Sequence, residues 1–158
     1  MNERFLLLER SIERDLEAIE RLYTAMGTGH LADDASEEEL IVAAYRLHNL
    51  YNAFESIFQN IAVTFENTLD DAARWHAQLL QRMRLDVMPV RPAVIDETAY
   101  DALDELRRFR HLFRYAYDVE LDPQRLRLVL RKAMQLKAIY RPQFQRFLDF
   151  LRTLRSDG

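Results

Sequence analysis

Cysteine is absent from the 158-residue chain, which removes thiol nucleophiles, cysteine-ligated metals and disulfides together and fits a reducing compartment. Glycine occurs only three times and proline four. No segment alternates apolar with polar residues beneath a β-branched bias, so strands are not expected. No apolar run approaches the length that crosses a bilayer. The opening Met1-Asn2-Glu3-Arg4-Phe5 is charged and helical in pattern, without the basic, apolar, small-residue order of a secretory signal. These absences point to a soluble cytoplasmic protein with no membrane partner. Lysine is also scarce: of 22 basic residues only Lys132 and Lys137 are not arginine, a bias that genome composition can produce and that carries little functional weight. The net charge of −4 argues against wholesale nonspecific binding of nucleic acid, although the local field decides whether a phosphate is held.

What is present is helix. Phe5, Leu8, Ile12, Leu16, Ile19, Leu22 and Tyr23 recur at three- and four-residue steps and predict a helix from about Glu3 to Met26, closed by Gly27-Thr28-Gly29. Ser36 with Glu39 is a capping-box signature. From there Leu40, Ala44, Leu47, Tyr51, Phe54, Phe58, Ile61 and Phe65 step by four and three, a seam that implies a partner helix of similar length. Thr68-Leu69-Asp70-Asp71 predicts the start of a shorter third helix through Trp75, Leu79, Leu80 and Met83. Pro89 and Pro92 enforce an extended connection. Asp96 caps a fourth helix ending near Tyr117 or Asp118, and Asp122-Pro123 opens a fifth that runs past Leu154. Pro142 lies inside that last pattern and is expected to kink or split it. The fold expected is all-α, an up-and-down bundle of four or five helices in one domain spanning residues 1–158.

Chemistry concentrates in Arg107-Arg108-Phe109-Arg110-His111-Leu112-Phe113-Arg114-Tyr115-Ala116-Tyr117. At about 100° per residue, Ala102, Leu106, Phe109, Leu112, Phe113 and Ala116 form a core stripe, while Arg107, Arg110, Arg114 and Tyr117 line one neighbouring edge. Arg108, His111 and Tyr115 form the next edge. Guanidinium forks, an imidazole and phenols on an anchored helix suit an anion, with phosphate the obvious candidate. The plainer reading makes the arginines a solvated face paired with Asp101, Asp104, Glu105 or Asp118. Tyr115 and Tyr117 are equally open to service as partly buried bundle aromatics. Tyr51, Phe54 and Phe58 keep the seam register and read as core. Glu55 sits beside the seam, either pairing with an arginine or lying at the rim, and His48 and His76 read as ordinary interface or surface histidines. A di-iron bundle site needs Glu-x-x-His pairs. None of His30, His48, His76 and His111 has a glutamate three residues before it, so neither a metal site nor a cofactor is expected.

Two stretches resemble the HepT-like members of the HEPN superfamily, helical-bundle ribonuclease toxins with an Arg-x4-6-His motif often extended to Arg-x4-His-x-Tyr. One is Tyr51-Asn52-Ala53-Phe54-Glu55-Ser56-Ile57-Phe58, followed downstream by Trp75-His76; the other, more specific, is Arg107 through Asp122. Laid on the motif, Arg110 matches its arginine and Tyr117 its tyrosine, while Tyr115 stands where the family carries histidine. The resemblance implies metal-independent RNA cleavage, in which the histidine helps activate the ribose 2′-hydroxyl and the arginine stabilises charge at phosphorus. Tyr115 departs from this: a phenol with an unperturbed pKa near ~10 is a poor general base at neutral pH, where imidazole near ~6.5 is matched to the work. His111, one turn earlier on the same edge, is the residue that could supply the imidazole, although four helical residues displace it by about 6 Å along the axis. The catalytic candidates are therefore Arg110, His111 and Tyr115, with Arg107 and Arg114 as RNA or phosphate contacts.

The resemblance further implies a homodimer whose cleft joins two motif helices and holds single-stranded RNA by phosphate contacts and stacking on Tyr115 or Phe113. It also implies a nucleotidyltransferase-type antitoxin that attaches AMP to the motif tyrosine, here Tyr117. The competing readings are a catalytically inactive HEPN-family module that keeps the nucleotidyltransferase or RNA partner surface, and an unrelated four-helix adaptor.

Overall fold

The computed structural model describes residues 3–66, 75–115 and 121–157, the side chains of residues 111–115 excepted. Five α-helices occur among the described residues: α1 (Glu3–Met26), α2 (Glu37–Glu66), α3 (Trp75–Met83), α4 (Glu97–Tyr115) and α5 (Pro123–Asp157). The only β-type pairing among them is one isolated bridge between Val87 and Arg91 in the proline-bearing connection, where the Met88–Pro89 peptide is cis.

Helix direction follows from the contacts. Ser56 Oγ donates to Asp15 Oδ2 at 2.9 Å and Asn60 Nδ2 to Ser11 Oγ at 2.9 Å, so α1 runs antiparallel to α2. Asp96 N donates to Gln143 Oε1 at 2.8 Å, and Arg125 pairs with Glu105 at 3.4 Å, so α4 runs antiparallel to α5. Phe54 meets Tyr140 and Phe58 stacks on Phe144, which sets α2 and α5 parallel. The four long helices therefore alternate up and down, and α3 lies within the connection from α2 to α4. This is the all-α, HEPN-type bundle expected from periodicity and resemblance.

The α2 seam is the reason the bundle closes. Leu40, Ala44, Leu47, Tyr51, Phe54, Phe58 and Ile61 are all buried, with Phe65 partly so. Truncating one of these phenylalanines to alanine is of the class that costs about 3–5 kcal/mol. Charge completes the α1–α5 contact: the carboxylate of Glu9, buried, is neutralised by Arg152 and Arg155, each at 2.7 Å.

The caps agree with the sequence, with one difference. Glu39 N donates to Ser36 Oγ at 3.2 Å, but the Glu39 carboxylate accepts from the Ser36 hydroxyl at 3.3 Å rather than from the Ser36 backbone. Asp96 Oδ1 accepts from Ala99 N at 2.8 Å and Asp122 Oδ1 from Gln124 N at 3.0 Å. The cap expected at Thr68–Asp71 and the end of α4 near Tyr117 lie outside the described residues. Pro142 does not split α5, which is helical throughout. Pro142 and Ala138, the residue whose carbonyl loses its donor, both sit on the solvent face. Water can satisfy that carbonyl there, while Tyr140, Phe144 and Phe147 hold both halves to the core.

Candidate functional site: the α2–α4 seam with the head of α3

The arginine-bearing end of α4 packs on the middle of α2. Ala99, Ala102, Leu103, Leu106 and Phe109 are buried and fix the rotation of α4. That rotation turns the Arg107 and Arg110 edge towards α2. Arg110 is half-buried, and its Nε donates to Asn52 Oδ1 at 2.5 Å. It does not point into bulk solvent. Arg107, also half-buried, is paired through Nε and Nη2 with Asp104 Oδ1, both at 2.9 Å. Arg108 is exposed and pairs with Asp104 at 2.9 Å and Glu105 at 3.7 Å. The plainer sequence reading, intrahelical pairing, thus describes Arg107 and Arg108 in this structure, whereas Arg110 is held across helices.

Beneath these guanidinium groups lies Tyr51, wholly buried. Burial chiefly, and then the negative charge of Glu55, push its hydroxyl pKa far up, while Arg107 and Arg110 pull it the other way. A carboxylate and two arginines therefore all act on one enclosed phenol. The carboxylate is close enough to be felt, yet among the described residues the Tyr51 hydroxyl makes no hydrogen bond of standard geometry.

Glu55 is not the rim carboxylate of the plainer expectation. It is 4% exposed, and its Oε2 lies 2.8 Å from His76 Nδ1. Nor is His76 an unengaged surface residue, for the buried carboxylate fixes it at the head of α3. The Trp75 ring lies against the imidazole with centroids 3.8 Å apart. A carboxylate in a dry environment favours a donor opposite it, so the physical cause of the pairing is desolvation of Glu55. The resemblance groups the stretch from Tyr51 to Phe58 with Trp75-His76, but it does not pair Glu55 with His76, which are 21 residues apart on different helices. Asn52 was equally silent as the partner of Arg110. The hint, visible only once helical rotation is known, is that Tyr51, Asn52 and Glu55 lie on adjacent lines of one face of α2.

The helical backbone of α4 carries His111, Arg114 and Tyr115, whose side chains lie outside those described; Tyr117 lies outside the described residues altogether. Among the described residues no group of three or more His, Asp or Glu side chains is disposed to hold a metal ion. No described helix is long and apolar enough to cross a membrane.

A family model described as HepT-like protein matches residues 42–151, well over half of the chain. The chain belongs to the HepT-like family. The match runs from the first turns of α2 into the last third of α5 and so contains every residue of the site just described. In the HepT-like chain α1 falls before the matched region, where it covers one flank of α2. No curated protein and no solved structure matches the chain.

Proposed function

We propose that this HepT-like chain is the toxin component of a nucleotidyltransferase-paired toxin–antitoxin system, binding RNA and cutting it without a metal in a cleft between two copies. The observation that carries the reading is Arg110, the residue matching the family's motif arginine, drawn out of solvent and pinned to Asn52 at 2.5 Å. A guanidinium held in one orientation can present its remaining donors to a phosphodiester and to the charge that grows on phosphorus as a ribose oxygen attacks. Arg107 and Arg114 on the same edge add positive field, and a second copy placed across a twofold would double it on an otherwise acidic protein. Single-stranded RNA suits such a groove because its phosphates meet the arginines while its bases stack on aromatic faces.

Silencing by AMP fits the same chemistry. A phosphate-bearing group on Tyr117 would set a tethered anion beside the arginine edge and fill the site its substrate needs.

One observation favours a second reading. Tyr115 stands at the histidine position, and a protonated phenol does not accept the 2′-hydroxyl proton at neutral pH; a member with no other base would bind RNA or the nucleotidyltransferase without cutting. Incubating purified protein with single-stranded RNA in EDTA separates the two. Fragments ending in 2′,3′-cyclic phosphate, lost in Arg110→Ala, support cleavage; intact RNA that is nevertheless retained by the protein supports the binding module.

A further inference from the structure

The pair formed by Glu55 and His76 is the chemically most loaded contact that the motif on α4 leaves unused. A buried carboxylate holding one nitrogen of an imidazole is the arrangement that orients a general base and stabilises the cation it becomes. With Glu55 ionised, His76 Nδ1 is the donor of the 2.8 Å contact, so Nε2 is the nitrogen that carries the lone pair in the neutral ring. The His76 side chain keeps 28% of its surface open, against 5% for that of Glu55. The base is reachable and its orienting group is not.

Its position matters as much as its chemistry. Glu55 lies three residues after Asn52 and four after Tyr51 on α2, spacings that place side chains on one face about 5–6 Å apart at Cβ. Asn52 holds Arg110 from α4, and Glu55 holds His76 from α3. The guanidinium and the imidazole are thus anchored to neighbouring positions of one helix by side chains from two others. Tyr51, which feels Glu55, Arg107 and Arg110 together, marks the point where these charges converge. Trp75, tilted on the imidazole, restrains the ring and offers a π-face to a base.

We propose that His76, positioned by Glu55, is the general base of this chain, replacing the motif histidine whose place Tyr115 takes. The inference rests on the reading that the chain cleaves RNA. In the step assigned, Nε2 takes the proton of the ribose 2′-hydroxyl and the 2′-oxygen forms a bond to phosphorus. The bond from phosphorus to the 5′-oxygen breaks, and that oxygen takes a proton from solvent. Arg110 faces the phosphoryl oxygens, and the imidazolium returns its proton to water. Glu55 is the positioning residue.

The test compares the full chain with His76→Gln and His76→Ala on single-stranded RNA in EDTA, scoring 2′,3′-cyclic phosphate ends. His76→Gln keeps a donor for Glu55, and the residue is partly exposed at the head of a helix, so folding, followed by circular dichroism, is expected to survive. Removing a general base is expected to slow cleavage about 100- to 10,000-fold with RNA affinity unchanged. Free imidazole is expected to restore part of the rate to His76→Ala, which loss of a structural contact alone would not allow. If the parent cuts RNA and His76→Gln cuts equally fast, or if imidazole fails to restore any rate to folded His76→Ala, the assignment of the base falls while the ribonuclease reading stands. If the parent cuts nothing, both fall.

Discussion

Arg110 of α4 donates its Nε to Asn52 Oδ1 of α2, 58 residues away in the chain, at 2.5 Å. Hydrogen bonds to charged groups contribute about 1.5–3 kcal/mol, enough to hold a long side chain in one orientation. Asn52→Ala should therefore leave Arg110 present but unfixed. On the proposed ribonuclease reading, the expected result is RNA cleavage lowered by about 10- to 100-fold, the same energy expressed as a rate, with helical content unchanged. Arg110→Ala should remove cleavage more completely. Kinetics of both variants beside their melting curves check this; equal rates for Asn52→Ala and the parent would show that the contact positions nothing.

Alkaline stability is set by two enclosed phenols. Burial raises the pKa of Tyr23 and of Tyr51 well above the ordinary value of 10.0, helped by Tyr140 in the first case and Glu55 in the second. In the unfolded chain both ionise near pH 10, while in the folded chain both keep their protons. The unfolded state thus binds fewer protons above that pH, so stability present below pH 10 declines as pH rises further, by about 1.4 kcal/mol per pH unit for each tyrosine. Tyr51→Phe should halve that decline. Denaturant titrations between pH 9 and 11.5 measure both slopes.

Arg91 is the largest polar side chain sealed among the described residues, with no exposed surface. It pairs with Glu66 and donates to the carbonyls of Arg82, Leu85 and Pro92 at 3.0–3.1 Å, tying the end of α2 to both sides of the α3–α4 connection. Arg91→Ala would take the guanidinium's donors from Glu66 and from the carbonyls of Leu85 and Pro92, while Arg82 O keeps Leu85 N. A loss of about 3–5 kcal/mol is expected, read as a fall in the denaturation midpoint. Arg91→Lys should recover only part of it, since one ammonium cannot reproduce the guanidinium fork.

The turn after α1 holds two glycines at positive φ, Gly27 at 60° and Gly29 at 71°. A Cβ at Gly27 would meet nothing within 4 Å, whereas one at Gly29 would lie 2.7 Å from Met134 Cγ. Gly27→Ala should cost about 1–2 kcal/mol from the left-handed backbone alone. Gly29→Ala should add the overpacking penalty, of about 1–3 kcal/mol. Comparing their thermal melts checks the difference; equal losses would mean that Met134 moves aside freely.

Much of the architecture was legible beforehand because a helix writes its period into the chain. The α2 seam was named residue by residue, and Asp96 and Asp122 with Pro123 located the starts of α4 and α5. Pro142 does not split α5, because its solvent-facing position, which lets water take the abandoned carbonyl, is a property of packing and not of sequence. The site was legible in part. Arg110 stood out by motif and residue type, while Asn52, Glu55 and His76 gained their roles only from helices that meet in space. From sequence, Glu55 is open to pairing with an arginine or to lying at the rim; the partner that draws it inward is a histidine on another helix.

Binding of a single-stranded RNA oligonucleotide to the parent and to Arg110→Ala, titrated in EDTA at several salt concentrations, tests most directly whether the arginine edge of α4 is a phosphate site. The account predicts that Arg110→Ala raises Kd by tenfold or more, the order of about 1.4 kcal/mol or above, and lowers the salt dependence by about one phosphate contact. Kd and salt slope identical to those of the parent would contradict it.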